Sequence, residues 1–113
     1  MSTIFDKIIN REVPAEIVYE TDDILAFKDI NPVAPTHLLI IPKRKIQTVN
    51  DISQDDSKVL SELLLSAKII SKKMGLDKEG YRLVINCNEN GGQTVYHLHM
   101  HLIAGRKLSW PPG

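Results

Sequence analysis

The chain has a single cysteine, Cys87, among 113 residues. An intramolecular disulfide and a zinc site built on a CxxC pair are both excluded, and the simple reading of Cys87 is a small buried residue in a reducing compartment. Runs of like charge are also missing, since 14 Lys and Arg balance 14 Asp and Glu along the chain. That removes the basic arm or patch of a nucleic-acid or membrane-surface binder, so neither partner is expected. No apolar run approaches transmembrane length, and charged residues interrupt the apolar ones from Met1 to Asn10, unlike a secretory signal. A soluble, intracellular protein is expected. Internal repeats and low-complexity segments are absent, and 42% hydrophobic content in so short a chain suits one domain over residues 1–113.

The pattern that is present reads as α+β. Thr3-Ile4-Phe5-Asp6 fits a capping box, with Thr3 as N-cap and Asp6 reaching back, and opens a short helix through about Asn10 with Phe5, Ile8 and Ile9 on one face. Two β-prone runs, Ile17-Val18-Tyr19 and Ile24-Leu25-Ala26-Phe27, flank Glu20 to Asp23 as a hairpin. His37 to Ile41, fenced by Pro35 and Pro42, is almost continuously apolar and reads as a central strand. Ser53-Gln54-Asp55-Asp56 is a second capping box that opens a long helix, with Val59, Leu60, Leu63, Leu64, Ala67, Ile70 and Met74 at helical spacing until Gly75. A strand over Arg82 to Asn86, a loop from Cys87 to Thr94 and a strand from Val95 to Ala104 follow. Without a βα alternation this order predicts a mostly antiparallel five-stranded sheet with one long and one short helix. Residues from about 105 to 113 form an irregular tail, in which Trp110 must find something to cover.

All four histidines fall in two short segments, and His97, His99 and His101 alternate. On a strand this spacing stacks the three imidazoles on one face and turns Tyr96, Leu98, Met100 and Leu102 to the core, which leaves the histidine face open for a ligand. Three uses compete at this point. The cluster could hold zinc, could be an idle solvated face, or could perform nucleophilic and acid–base chemistry on an anion. Stacked imidazoles cannot all be protonated, so one can stay neutral and nucleophilic while a neighbour attracts phosphate. The preceding Asn90-Gly91-Gly92-Gln93-Thr94 suits an anion better than a metal, because glycines let backbone N–H groups approach it and Thr94 adds a hydroxyl. Gly-Gly alone is more often a turn, and His37 alone is more often structural.

These residues carry a resemblance that covers nearly the whole chain. His97-Leu98-His99-Met100-His101-Leu102-Ile103, the Gly-Gly-Gln-Thr-Val lead-in, Thr3 to Ile9, Ala26 to Pro32, Ala34 to His37 and the terminal Trp110-Pro111-Pro112-Gly113 resemble the histidine triad family in its Hint branch, the histidine triad nucleotide-binding proteins. The resemblance implies the fold of that family and a purine nucleoside phosphoramidase. Such an enzyme cleaves the P–N bond of adenosine 5′-phosphoramidates, and acts likewise on aminoacyl adenylates, through a nucleotidyl-histidine intermediate, without a cofactor or metal. By motif position it makes His99 the nucleophile, His101 a phosphoryl ligand together with the backbone of Gly92, Gln93, Thr94 and Val95, His97 the residue that orients the nucleophile, and His37 a proton relay.

It also implies that Asp29 binds the ribose hydroxyls, that Phe5, Ile8, Phe27 and Ile30 surround the base, and that Asn86 bonds the ribose or phosphate region. Considered alone, Phe5, Ile8 and Phe27 are core residues and Asn86 caps a turn. Thr94 stands where Ser is common in the Hint branch. It keeps the donor for the leaving group and adds a methyl. Thr occurs there in Fhit-like dinucleoside polyphosphate hydrolases, the second activity the resemblance allows, and a nucleotide-binding scaffold with little turnover is a third. A homodimer through the Ser53 to Met74 helix and the Arg82 to Asn86 strand is implied, with the tail reaching toward the partner's site. A cytoplasmic location follows, with the nucleus also open in a eukaryotic source.

Overall fold

The computed structural model describes residues 2–113, so that Met1 of the expected 1–113 domain lies outside the described residues. Helix α1, Ile4–Ile9, begins as its sequence predicts: Thr3 Oγ1 accepts from the Phe5 and Asp6 amides while Asp6 Oδ2 accepts from the Thr3 amide at 2.7 Å. Strands β1, Ile17–Glu20, and β2, Ile24–Lys28, form the hairpin, and β3, Thr36–Pro42, lies at the centre of the sheet. With β4, Arg82–Val84, and β5, Met100–Ala104, the five strands take the order β1-β2-β3-β5-β4, antiparallel throughout.

The long helix α2, Ser57–Lys73, starts four residues after Ser53 because the Ser53 capping box closes a 3-10 turn over Gln54–Asp56 first. Leu63, Ala67 and Ile70 of α2 pack on Ile24, Ala26, Leu38, Ile40, Met100, Leu102 and Ala104. Leu64 and Met74, expected on the same stripe, are exposed. The alternate residues Leu25, Phe27, Leu39 and Ile41 point to the opposite face, where they meet Phe5 and Ile8 of α1. Strands β2 and β3 read as continuous apolar runs because both of their faces are covered. The expectation of one core face and one open face is thereby corrected, since α1 builds a second apolar layer on the histidine side.

The triad strand is also shorter than predicted. It begins at Met100, and Val95 to His99 form no strand. Proline has no N–H to continue the ladder past the end of β3, and the Pro42 carbonyl instead accepts Nε2–H of His97 at 2.7 Å. Beside it the Leu98 amide donates to the Ile46 carbonyl at 2.6 Å. Tyr96 is 39% exposed rather than core-facing, Cys87 is half-buried rather than buried, and β4 ends at Val84. Residues 105–113 contain no helix or strand, and Trp110 is 83% exposed, so the expectation that it covers something is not met among the described residues.

Candidate active site

A cavity of about 510 Å³ opens between α1, the end of β2 and the triad. Its apolar end is formed by Ile4, Phe5, Ile8, Val13, Pro14, Ala15, Phe27 and Leu39, and its polar end by Asp29, His37, Thr94, His99 and His101. Ile30, 89% exposed, stands at the wall together with Asn31, Val33, Lys28 and Val95. Of the residues singled out from the sequence, Phe5, Ile8, Phe27, Asp29, Ile30, His37, Thr94, Val95, His99 and His101 are thus brought together.

His97, Asn86, Gly92 and Gln93 do not reach this wall. The expected loop over Cys87 to Thr94 contains a turn of helix, α3, Asn88–Gly91, which ends on Gly92 in the left-handed region at φ 83°. Its formation occupies two of the amides expected to face phosphate: Gly92 N–H donates to the Glu89 carbonyl and Gln93 N–H to the Asn88 carbonyl, each at 3.0 Å. The Gln93 side chain is buried and braces the loop. Its Oε1 accepts from the Asn88 amide at 2.9 Å, and its Nε2 donates to the carbonyls of Gln47 at 2.8 Å and Val95 at 3.1 Å.

The hydrogen bonds of the imidazoles assign their tautomers, because a carbonyl only accepts. Nδ1–H of His99 donates to the His97 carbonyl at 2.7 Å, which leaves the Nε2 lone pair bare. The Phe5 ring stands edge-on to His99 at 5.0 Å between centroids. Burial holds the pKa of His99 below the ordinary histidine value, so the ring is neutral and its Nε2 is available.

His37 Nδ1 accepts the Val33 amide at 3.2 Å, so neutral His37 carries its proton on Nε2, which lies 2.9 Å from His101 Nδ1 and 3.4 Å from Asp29 Oδ2. His101 therefore accepts at Nδ1 and carries its own proton on Nε2. Burial, together with the His99 and His37 rings, pushes the pKa of His101 down to about 4. His97 is fully buried and donates through Nε2 to Pro42; its pKa is lowered by burial, so the 3.9 Å approach of Asp6 Oδ1 to its bare Nδ1 is not an ion pair. The ring thus ties the triad segment to β3, and what reaches the nucleophile is the His97 carbonyl.

Asp29, His37 and His101 each offer one atom to a potential metal ion, all within 4.8 Å of one another. The donor set does not fit one. A metal on His37 Nε2 would force the proton to Nδ1, where it would meet the Val33 N–H. This lock is invisible in the sequence, because the donor is a backbone amide and carries no residue-type signal. The apolar contributions of Ile4, Val13, Pro14 and Ala15 were likewise missed, though the helical phase of Ile4 beside Phe5 could have suggested one of them.

The HIT domain model matches residues 10–108. A purine nucleoside phosphoramidase of Escherichia coli is 52% identical over 106 residues, covering 94% of this chain and 89% of that protein. A 14 kDa zinc-binding protein of Zea mays is 50% identical over 113 residues, covering 98% and 88%. Among solved structures, a HIT family hydrolase from Legionella pneumophila superposes with a TM-score of 0.97 at 54% identity, covering 99% of this chain and all of that one. The alternating histidines, the antiparallel sheet that displays them and these matches agree: the chain belongs to the histidine triad family and has its fold.

Proposed function

We propose that this protein is a purine nucleoside phosphoramidase, cleaving the P–N bond of nucleoside 5′-phosphoramidates, or the anhydride P–O bond of aminoacyl adenylates, through a nucleotidyl-His99 intermediate. The observation that carries this reading is the 2.7 Å bond from His99 Nδ1–H to the His97 carbonyl, which aims a bare, neutral Nε2 into the cavity. The name of the Escherichia coli relative supports the same activity.

The chemistry follows from the protonation states. The purine enters the apolar end, beside Phe5, Ile8, Phe27 and Ile30, and Asp29 accepts from the ribose hydroxyls. The phosphate meets His101 Nε2–H and the Thr94 and Val95 region. His101 stays neutral as the anion accepts its Nε2–H, because its Nδ1 is already occupied by the His37 N–H. His99 Nε2 then attacks phosphorus; the P–Nε2 bond forms as the P–N bond breaks, and the leaving nitrogen takes a proton from solvent, with Thr94 Oγ1–H as a hydrogen-bond donor to it. The charge left on the His99 ring is met by the His97 carbonyl. In the second half a water oxygen attacks phosphorus, the P–Nε2 bond breaks and the water proton leaves to solvent, while His101 Nε2–H, fixed by the His37 N–H on Nδ1, holds a phosphoryl oxygen. No metal enters these steps, in keeping with the misfit of the donor set, although the Zea mays relative is named for zinc binding.

The described residues include no helix long and apolar enough to cross a membrane. A cytoplasmic location accords with this reading. A homodimer is supported by the exposure of Leu64, Leu65 and Ile69 on α2, at 58%, 52% and 39%. Light scattering tests it, and a monomer at micromolar concentration would contradict it. For the activity, the protein is incubated with adenosine 5′-phosphoramidate, acid-quenched and weighed intact. A nucleotidyl adduct that maps to His99 is the expected result, and full turnover by His99→Ala would sink the assignment.

A further inference from the structure

The segment between Asp29 and His37 passes over the His37–His101 pair, and one of its residues is braced through its backbone on both sides. The Val33 N–H donates to His37 Nδ1 at 3.2 Å, and the Val33 carbonyl accepts from Arg106 Nε at 3.2 Å and Nη2 at 3.1 Å. The Val33 side chain is 56% exposed, so burial does not hold the residue in place. Gly105 makes the brace reachable. Its φ is +96°, and a Cβ at this position would lie 2.7 Å from Pro35 Cβ. The chain can therefore leave β5 tight against Pro35 and deliver Arg106 to the Val33 carbonyl. Arg106 itself lies outside the cavity wall.

We propose that Arg106 is a positioning residue for the His37–His101 pair: by clamping the Val33 carbonyl it keeps the Val33 N–H on His37 Nδ1 and so holds the His37 proton on Nε2, facing His101. A two-pronged guanidinium on a carbonyl fixes both its position and its direction, which a single ammonium cannot do. Without the clamp the His37 proton can sit on Nδ1. Two bare nitrogens, His37 Nε2 and His101 Nδ1, would then face each other at 2.9 Å. His101 answers by moving its own proton to Nδ1, and its Nε2 then presents a lone pair to the phosphate instead of an N–H. The clamp therefore acts on the chemical step and leaves the apolar end of the cavity untouched. The catalytic consequence rests on the phosphoramidase reading; the tautomer is a property of the resting protein and does not.

The test uses the full chain with Arg106→Met and Arg106→Lys, both at an exposed position, with circular dichroism confirming the fold of each. Ring nitrogen chemical shifts from ¹⁵N NMR of the resting protein report the tautomers of His37 and His101. The wild type should show bare Nδ1 and protonated Nε2 on His37. Arg106→Met should show exchange between tautomers and a kcat about five-fold lower at unchanged KM, the size expected from losing one charge-assisted hydrogen bond pair at the surface. Arg106→Lys should recover part of both. Wild-type ring shifts in Arg106→Met overturn the proposal, and so does a loss of kcat unaccompanied by a tautomer change. Tautomer exchange at unchanged kcat upholds the clamp and counts instead against the role given to His101.

Discussion

His99 donates its Nδ1–H to the backbone carbonyl of His97 at 2.7 Å, while the His97 ring points away and bonds the Pro42 carbonyl. One residue thus serves the nucleophile through its main chain and the fold through its side chain. Truncating the His97 side chain leaves the orienting carbonyl in place. His97→Ala should lower stability by about 2–4 kcal/mol, from the lost buried ring and its hydrogen bond. Its loss in kcat should be at least roughly tenfold smaller than that of His99→Ala, whose affinity for a nucleoside monophosphate should stay within about tenfold of wild type. Urea denaturation and steady-state kinetics read the two effects, and equal losses of kcat in both variants would contradict the division.

Protonation of His99 Nε2 removes the nucleophile. Because burial holds this group below the ordinary histidine value, kcat/KM should stay level as pH is lowered to about 6.5 and fall only below it. Stability has its own window. The unfolded chain takes up a proton at each histidine near pH 6.5, whereas folded His101 does so only at about 4. Between these values the unfolded state binds more protons, so stability is full above the window and is lost as pH falls through it. Urea midpoints at pH 7 and pH 5 should differ in that direction, and the reverse order would refute the assignment.

Helix α1 has only six residues and depends on its cap, yet it carries Phe5 and Ile8 into the cavity wall. Thr3→Ala should cost about 1 kcal/mol of stability and raise KM for the nucleotide several-fold at nearly constant kcat. An unchanged KM would show that the base end of the cavity does not depend on the cap.

Gln93 joins Asn88, Gln47 and Val95 through one buried amide. Gln93→Ala leaves those backbone groups unpaired and should destabilise by about 1–3 kcal/mol. Since Thr94 and Val95 follow directly, kcat should drop as well. Thermal melts and turnover assays on the same preparation check both, and a neutral effect would mean that water replaces the amide without loss.

Local signals made the scaffold readable. The Thr3 and Ser53 capping boxes, the hairpin punctuation at Glu20 to Asp23 and the apolar run before Pro42 each concern neighbours in the chain, and each produced the element it implied, with a 3-10 turn between the Ser53 box and α2. The errors arose where distant residues decide. Strand β5 stops short because Pro42, 55 positions before His97, ends the ladder and offers its carbonyl to that ring. Gly92 and Gln93 looked like phosphate donors until α3 took their amides. In the site, side-chain identities pointed to His99, His101, His37 and Asp29, whereas the features that set their protons are carbonyls and amides of His97 and Val33, which every residue type possesses.

The sheet separates two apolar layers, one under α2 and one under α1, that share strands but no side chains. Substitutions that reshape the nucleotide cavity fall in the smaller layer, while the larger layer retains Leu63, Ala67, Ile70 and the strand residues they cover. Substrate preference can consequently drift over evolutionary time with the chain still folding, and a laboratory library confined to the α1 side should yield a high fraction of folded variants.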